Sequence, residues 1–205
     1  MLGKLDRVAI APHREALVTA MRKDTYDLVR SNAAGALRKL DAEELAEVSK
    51  SLVAALGTDV YEGVRWKAAE ALDKLDRQQL AKHAGGLVKA LVEDTNDLVR
   101  SFAAGMLDRL GPKTMAKHGD ILAGVLATNA DAGIRNKAAA ALLKLVPSEL
   151  AAFVEVLMTA LGEDSDGGVQ DKAEQGIEML TAAELGPVTD SLIVRYHAMS
   201  ILPSC

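Results

Sequence analysis

Apolar and polar positions recur along this chain with a step of 35 residues. The pairs Val29-Arg30, Val64-Arg65, Val99-Arg100, Ile134-Arg135 and Val169-Gln170 follow one another at that interval. Each unit predicts two amphipathic helices. The first, termed A, draws its apolar stripe from columns such as Leu17, Leu52, Leu87, Leu122 and Leu157, or Met21, Leu56, Leu91, Leu126 and Leu161. A third column runs Ile10, Leu45, Leu80, Met115, Leu150, Leu185. The spacing of Leu45, Val48, Leu52, Val53 and Leu56 is one face of a helix. The second helix, B, carries Val29, Ala33, Ala36, Leu37 and Leu40, again at helical spacing. Its alanine pairs (Ala33-Ala34, Ala68-Ala69, Ala103-Ala104, Ala138-Ala139) allow close helix approach. An internal period of this size means stacked two-helix units. A stack of that kind offers a long surface rather than a deep pocket, so holding a partner is its expected task.

The punctuation agrees with the pattern. Gly57-Thr58-Asp59, Glu93-Asp94-Thr95-Asn96 and Gly162-Glu163-Asp164 separate A from B. Asn96, Asp131 and Asp166 share the column where a cap for helix B belongs. Between B and the next A, Asp41 with Glu44, and Thr181 with Glu184, have capping-box spacing. Pro112 and Pro147 fall at the same junctions, where proline does least harm. The loops are short, as helical hairpins require.

One further column carries a resemblance. Asp24 precedes Arg30 by six residues, as Asp59 precedes Arg65 and Asp94 precedes Arg100. Asn129 and Arg135 keep the spacing with an amide, and Asp164 keeps its acid but precedes Gln170. An inter-helix Asp followed by Val-Arg and an Ala-rich helix resembles the HEAT-repeat family. The resemblance covers nearly the whole chain. It implies an all-α, right-handed α-solenoid of antiparallel helix pairs. As one domain over 1–205 it would comprise full units near 7–41, 42–76, 77–111, 112–146 and 147–181, with partial units at 1–6 and 182–205. It also implies that Asp24, Arg30, Asp59, Arg65, Asp94, Arg100, Asn129 and Arg135 form a structural ladder between repeats. Charge-assisted bonds to loop groups explain such a ladder physically, so these arginines are not counted as a phosphate-binding patch.

The register is cut at both ends. Leu2 and Leu5 align with the end of a helix B, and the tail from Ile201 to Cys205 matches nothing. Neither end reads as a polar cap, which is consistent with membership of a longer array or with end-to-end self-association. Gly167, Gly168 and Gly176 are expected to weaken the fifth helix B.

Composition narrows the function. Aromatics are 3 % of a chain that is 49 % apolar, so the core must be aliphatic. The net charge of −5 argues against a general nucleic-acid binder. The single cysteine, Cys205, allows no internal disulfide, and no apolar run approaches the ~18 residues of a membrane span. These features fit a reducing compartment, cytoplasmic or nuclear. No cofactor or metal set is expected. His13, His83 and His118 share one helix-A column, too far apart at ~10 Å per layer to share a zinc.

Helix B would line the concave face of a HEAT solenoid, through positions 31, 35 and 38 and their copies. That stripe includes Arg38, Trp66, Glu70, Asp73 and Asp108, with Phe102 beside it. Trp66 is the sole tryptophan, in a column that otherwise holds Ser, Asn and Asp. Tryptophan is a favoured anchor of protein interfaces. The expected function is a non-enzymatic scaffold that binds a basic, apolar protein or peptide around Trp66. Two alternatives rest on fold likeness. One is a HEAT-like DNA glycosylase using Trp66 and Asp73, which the acidic stripe opposes. The other is a regulatory or lyase-type subunit. A basic column, Lys39, Lys74, Arg109 and Lys144, lies in the last turn of each helix B, where cations suit the helix dipole.

Overall fold

The computed structural model describes residues 6–180. The features expected at Thr181, Glu184 and Leu185, and in the C-terminal tail, lie outside them. All regular structure among the described residues is helical, and no helix there is long and apolar enough to cross a membrane. The chain divides after Leu110 into two compact units.

The first unit holds α1 (Arg7–Ile10), α2 (Arg14–Lys23), α3 (Asp27–Leu37), α4 (Ala42–Thr58), α5 (Glu62–Leu72), α6 (Arg77–Ala81), α7 (Ala84–Glu93) and α8 (Asp97–Asp108). Helices α2, α4 and α7 form an A layer in that order, and α3, α5 and α8 form a B layer. Each A helix packs on the B helix that follows it. The second unit repeats the arrangement. Its helices are α9 (Pro112–Met115), α10 (Gly119–Thr128), α11 (Ala132–Leu142), α12 (Pro147–Leu150), α13 (Val154–Glu163) and α14 (Gly167–Glu178). There α10 packs beside α13, and α11 beside α14.

The core follows the columns. Leu45, Leu52, Leu72, Leu75, Leu80, Leu87 and Leu91 are fully buried, as are Leu122, Leu142, Leu150 and Leu157. Burying each leucine contributes about 2 kcal/mol of transfer free energy. Ala33, Ala34, Ala68, Ala69, Ala103, Ala138 and Ala139 have essentially no exposed surface, so the two layers meet along alanine. Val29 departs from its column. It is 40 % exposed, whereas Val64 and Val99 are fully buried beneath the preceding B helix.

Helix A is not the single helix that its periodicity predicts. It breaks between α1 and α2, α6 and α7, α9 and α10, and α12 and α13, while α4 runs unbroken. The breaks fall on His13, His83, His118 and Phe153, whose φ values lie between −105° and −121° with ψ near +5° to +10°. That region between helix and strand is sparsely populated. The unbroken α4 carries Val48 in the same column, and a β-branched side chain is stiff and ill-suited to that geometry.

Caps set the ends. Asp6, Asp41 and Asp76 accept hydrogen bonds from the backbone N–H groups of Ala9, Glu44 and Gln79, and Asp41 with Glu44 forms a full capping box. Asn96, Asp131 and Asp166 cap the B helices α8, α11 and α14. Pro112 and Pro147 open α9 and α12.

Candidate functional site

Two sets of side chains tie successive B helices together, one at each end. At the N-terminal end, Arg30 donates from Nε to Asp59 Oδ2 at 2.7 Å and from Nη2 to Asp59 Oδ1 at 2.9 Å. Arg65 holds Asp94 in the same way, and in the second unit Arg135 holds Asp164. Each arginine also donates from Nη1 to the loop carbonyl six residues before it, that of Asp24, Asp59 or Asn129. Burial works against the charge on Asp59, but hydrogen bonds from Arg30 and the Tyr61 N–H outweigh it and hold the carboxyl below its ordinary range. Arg135 does the same for Asp164. Among the described residues Gln170 keeps the local bond, from Nε2 to Asp164 O at 2.7 Å. Arg100 donates to Asp94 O at 3.0 Å and pairs with Asp97.

At the C-terminal end, the basic column reaches one repeat back. Lys74 Nζ donates to Arg38 O at 2.7 Å and Leu40 O at 3.0 Å. Arg109 donates to Asp73 O and Leu75 O, the equivalent carbonyls of the next layer. These cations cap the helix before their own. They stand at or just past the ends of α5 and α8 rather than in the last turn that the sequence suggests, and they serve the preceding helix rather than their own helix dipole. The 35-residue register, read across layers, carries the signal that was missed.

The B face of the first unit holds the residues singled out above. Trp66 is half-buried on α5, with Lys67 Nζ 5.9 Å from its ring centroid. Lys67 Nζ donates to Ser31 Oγ at 2.8 Å, and Ser31 Oγ donates in turn to Gly63 O at 3.2 Å. Burial, with Arg38 nearby, lowers the Lys67 pKa. Ser31 is therefore buried at 4 % exposure rather than presented to a partner. Gly63 makes room for this contact: a Cβ there would lie 3.3 Å from Ser31 Oγ and 2.6 Å from the Tyr61 ring. In the layer above, Trp66 replaces serine and Leu98 replaces glycine.

The acids of this face are engaged with their neighbours. Glu70 pairs with Arg38, and Asp73 Oδ1 lies 3.3 Å from Arg109 Nη1. The acidic stripe is thus half of a set of cross-layer ion pairs. Phe102 is half-buried and Asp108 exposed, both on α8. The face brings together Arg38, Glu70 and Trp66 on adjoining helices, and joins Asp73 to α8 through Arg109.

No protein-family model matches the sequence, and no curated protein matches it. Solved structures do. An engineered protein determined by the Northeast Structural Genomics Consortium matches 84 % of this chain at 24 % identity with a TM-score of 0.57. The chain spans half the length of that protein. This likeness is one of fold: an all-helical stack of hairpins. An archaeal HEAT-like repeats protein from Thermococcus onnurineus NA1 is similar at 16 % identity with a TM-score of 0.44, over 84 % of this chain and 89 % of its own.

Proposed function

We propose that this chain is a HEAT-like, non-enzymatic scaffold that holds a protein or peptide against the B face of its first unit, with Trp66 as the anchor. The observation that carries this reading is the half-buried state of Trp66. Its neighbours are engaged across layers, Lys67 with Ser31 and Glu70 with Arg38, while the indole stays partly open on a polar face. A rigid, partly dry aromatic surface amid satisfied polar groups is what an interface hot spot needs.

The partner presents an apolar side chain to Trp66 and Phe102. Basic groups on it are selected by exchange with the Arg38–Glu70 and Arg109–Asp73 pairs. Such electrostatic matching favours selectivity and encounter rate more than affinity.

The test is affinity capture from the native source with wild type and Trp66→Ala, both verified as folded by circular dichroism. Proteins lost only with the variant define the partner, and Trp66 emission then follows binding of the purified protein. An identical set captured by both forms removes Trp66 from the site.

A further inference from the structure

A second surface of the first unit is unaccounted for. It lies along the edge where each A helix turns into its B helix. Tyr26, Leu28, Val60 and Leu98 are exposed there by 73 %, 62 %, 90 % and 57 %, an unusual outlay of large apolar side chains in a chain so poor in aromatics. They recur by layer: Tyr26 and Leu28 at the start of α3, Val60 just before α5, Leu98 in the first turn of α8. Large apolar side chains left exposed along one edge in successive layers suit an interaction site.

Beyond Arg22 and Lys23, exposed at the end of α2, the charge on the edge is mostly negative. Residues 24–30, 59–65 and 94–100 carry Asp24, Asp27, Asp59, Glu62, Asp94 and Asp97 against Arg30, Arg65 and Arg100. The three arginine side chains are only 12–13 % exposed, sunk beneath the loops in their bonds to carbonyls and carboxylates. Asp97, by contrast, is 85 % exposed, and Asp27 and Glu62 are also exposed. The ladder thus hides the positive charge and leaves the negative charge outermost, interleaved with apolar side chains.

We infer that this edge is a docking strip for a cationic amphipathic helix of a partner protein. The occupant follows from complementarity. An apolar stripe meets Tyr26, Leu28, Val60 and Leu98, and flanking lysines or arginines meet Asp27, Glu62 and Asp97. The spacing also fits. Layers of packed helices repeat every ~10 Å, and two turns of an α-helix advance ~11 Å, so apolar residues seven apart reach successive layers. Glu62 lies one turn before Trp66 on α5, so the strip borders the Trp66 face, but the observations behind it are separate and neither reading depends on the other.

The test uses the full chain and a synthetic helical peptide of about 20 residues, with leucine at seven-residue spacing flanked by lysine. Binding is read by fluorescence anisotropy. The expected result is a Kd below about 100 µM that weakens at least about tenfold for Leu28→Ser/Val60→Ser and for Asp27→Lys/Glu62→Lys, both pairs being exposed. Trp66→Ala leaves it unchanged, which separates this surface from the proposed anchor. A peptide with glutamate in place of lysine binds at least about tenfold more weakly. Equal binding of both peptides, or full binding by the edge variants, overturns the inference. So does sedimentation showing that wild type self-associates through this edge and that Leu28→Ser/Val60→Ser abolishes it.

Discussion

Arg65 holds Asp94 through two near-parallel hydrogen bonds, Nε to Oδ2 at 2.7 Å and Nη2 to Oδ1 at 3.0 Å. Its remaining nitrogen reaches back to Asp59 O at 3.1 Å and Val60 O at 3.2 Å. One side chain therefore fastens its own loop and the next. Removing it leaves an enclosed carboxylate and loop carbonyls without donors. Arg65→Ala should cost about 3 kcal/mol, and Arg65→Lys, which cannot bridge both oxygens, should recover less than half. Urea denaturation followed by circular dichroism measures both. A loss below about 0.5 kcal/mol would mean that the pair behaves as a surface ion pair.

Phe153 and Gly119 form a size-matched contact at a helix break. A Cβ on Gly119 would come within 2.6 Å of the Phe153 ring. Gly119→Ala gains helix propensity of about 1 kcal/mol but overpacks the ring by about 1–3 kcal/mol, so a net loss is expected. Phe153→Leu combined with Gly119→Ala should be more stable than Gly119→Ala alone. Thermal unfolding of the three variants decides, and additive effects would refute the coupling.

His83 makes the pH dependence two-staged. Its Nε2 lies 2.9 Å from Ser49 Oγ, and that hydroxyl donates its one hydrogen to Ala46 O at 2.8 Å. His83 must therefore donate from Nε2 as the neutral ring. Burial, with Lys82 nearby, lowers its pKa below 6.5. The unfolded chain takes up this proton first, so the stability contribution is complete above about pH 6.5 and falls as the pH drops below it. The carboxyls of Asp59 and Asp164 lie below 3.8 in the folded chain, so their contribution is lost only at more acid pH. The melting temperature should decline gently below pH 6.5 and steeply below about pH 4. His83→Gln should remove the first stage alone; its persistence would assign that stage elsewhere.

Lys74→Met should destabilise the first unit by about 1 kcal/mol, because the carbonyls of Arg38 and Leu40 lose their donor. Lys74→Arg should restore the loss, since Arg109 fills the same role one layer on. Equal stability of wild type and Lys74→Met, measured by urea titration, would reduce the contact to an incidental one.

The fold was legible because the repeat writes each core position several times. A column such as Leu17, Leu52 and Leu87 identifies helix A where a single leucine could not. The break in helix A was not legible. His13, His83, His118 and Phe153 read as half-buried positions of a continuous helix, and only backbone angles separate them from Val48. The composition of the Trp66 face could be read, but its electrostatics could not. Glu70 and Asp73 look like an acidic stripe until Arg38 and Arg109 are seen to meet them from adjoining layers. Such pairings lie 32 or 36 residues apart, outside any local window. The exposure of Val29 was hidden for a related reason. Columns predict what is buried on average, whereas among the described residues no B helix precedes α3 to cover Val29 as α3 and α5 cover Val64 and Val99.

Each arginine–aspartate clasp spans 29 residues and repeats after 35. Excising residues 42–76 would bring Arg30 opposite Asp94, the partner that Arg65 leaves behind, because 64 minus 35 is again 29. The units near 7–41, 42–76 and 77–111 thus each carry both a plug and the matching socket. Such units can be gained or lost by duplication and deletion without redesigning a junction, so the length of the array can change one unit at a time.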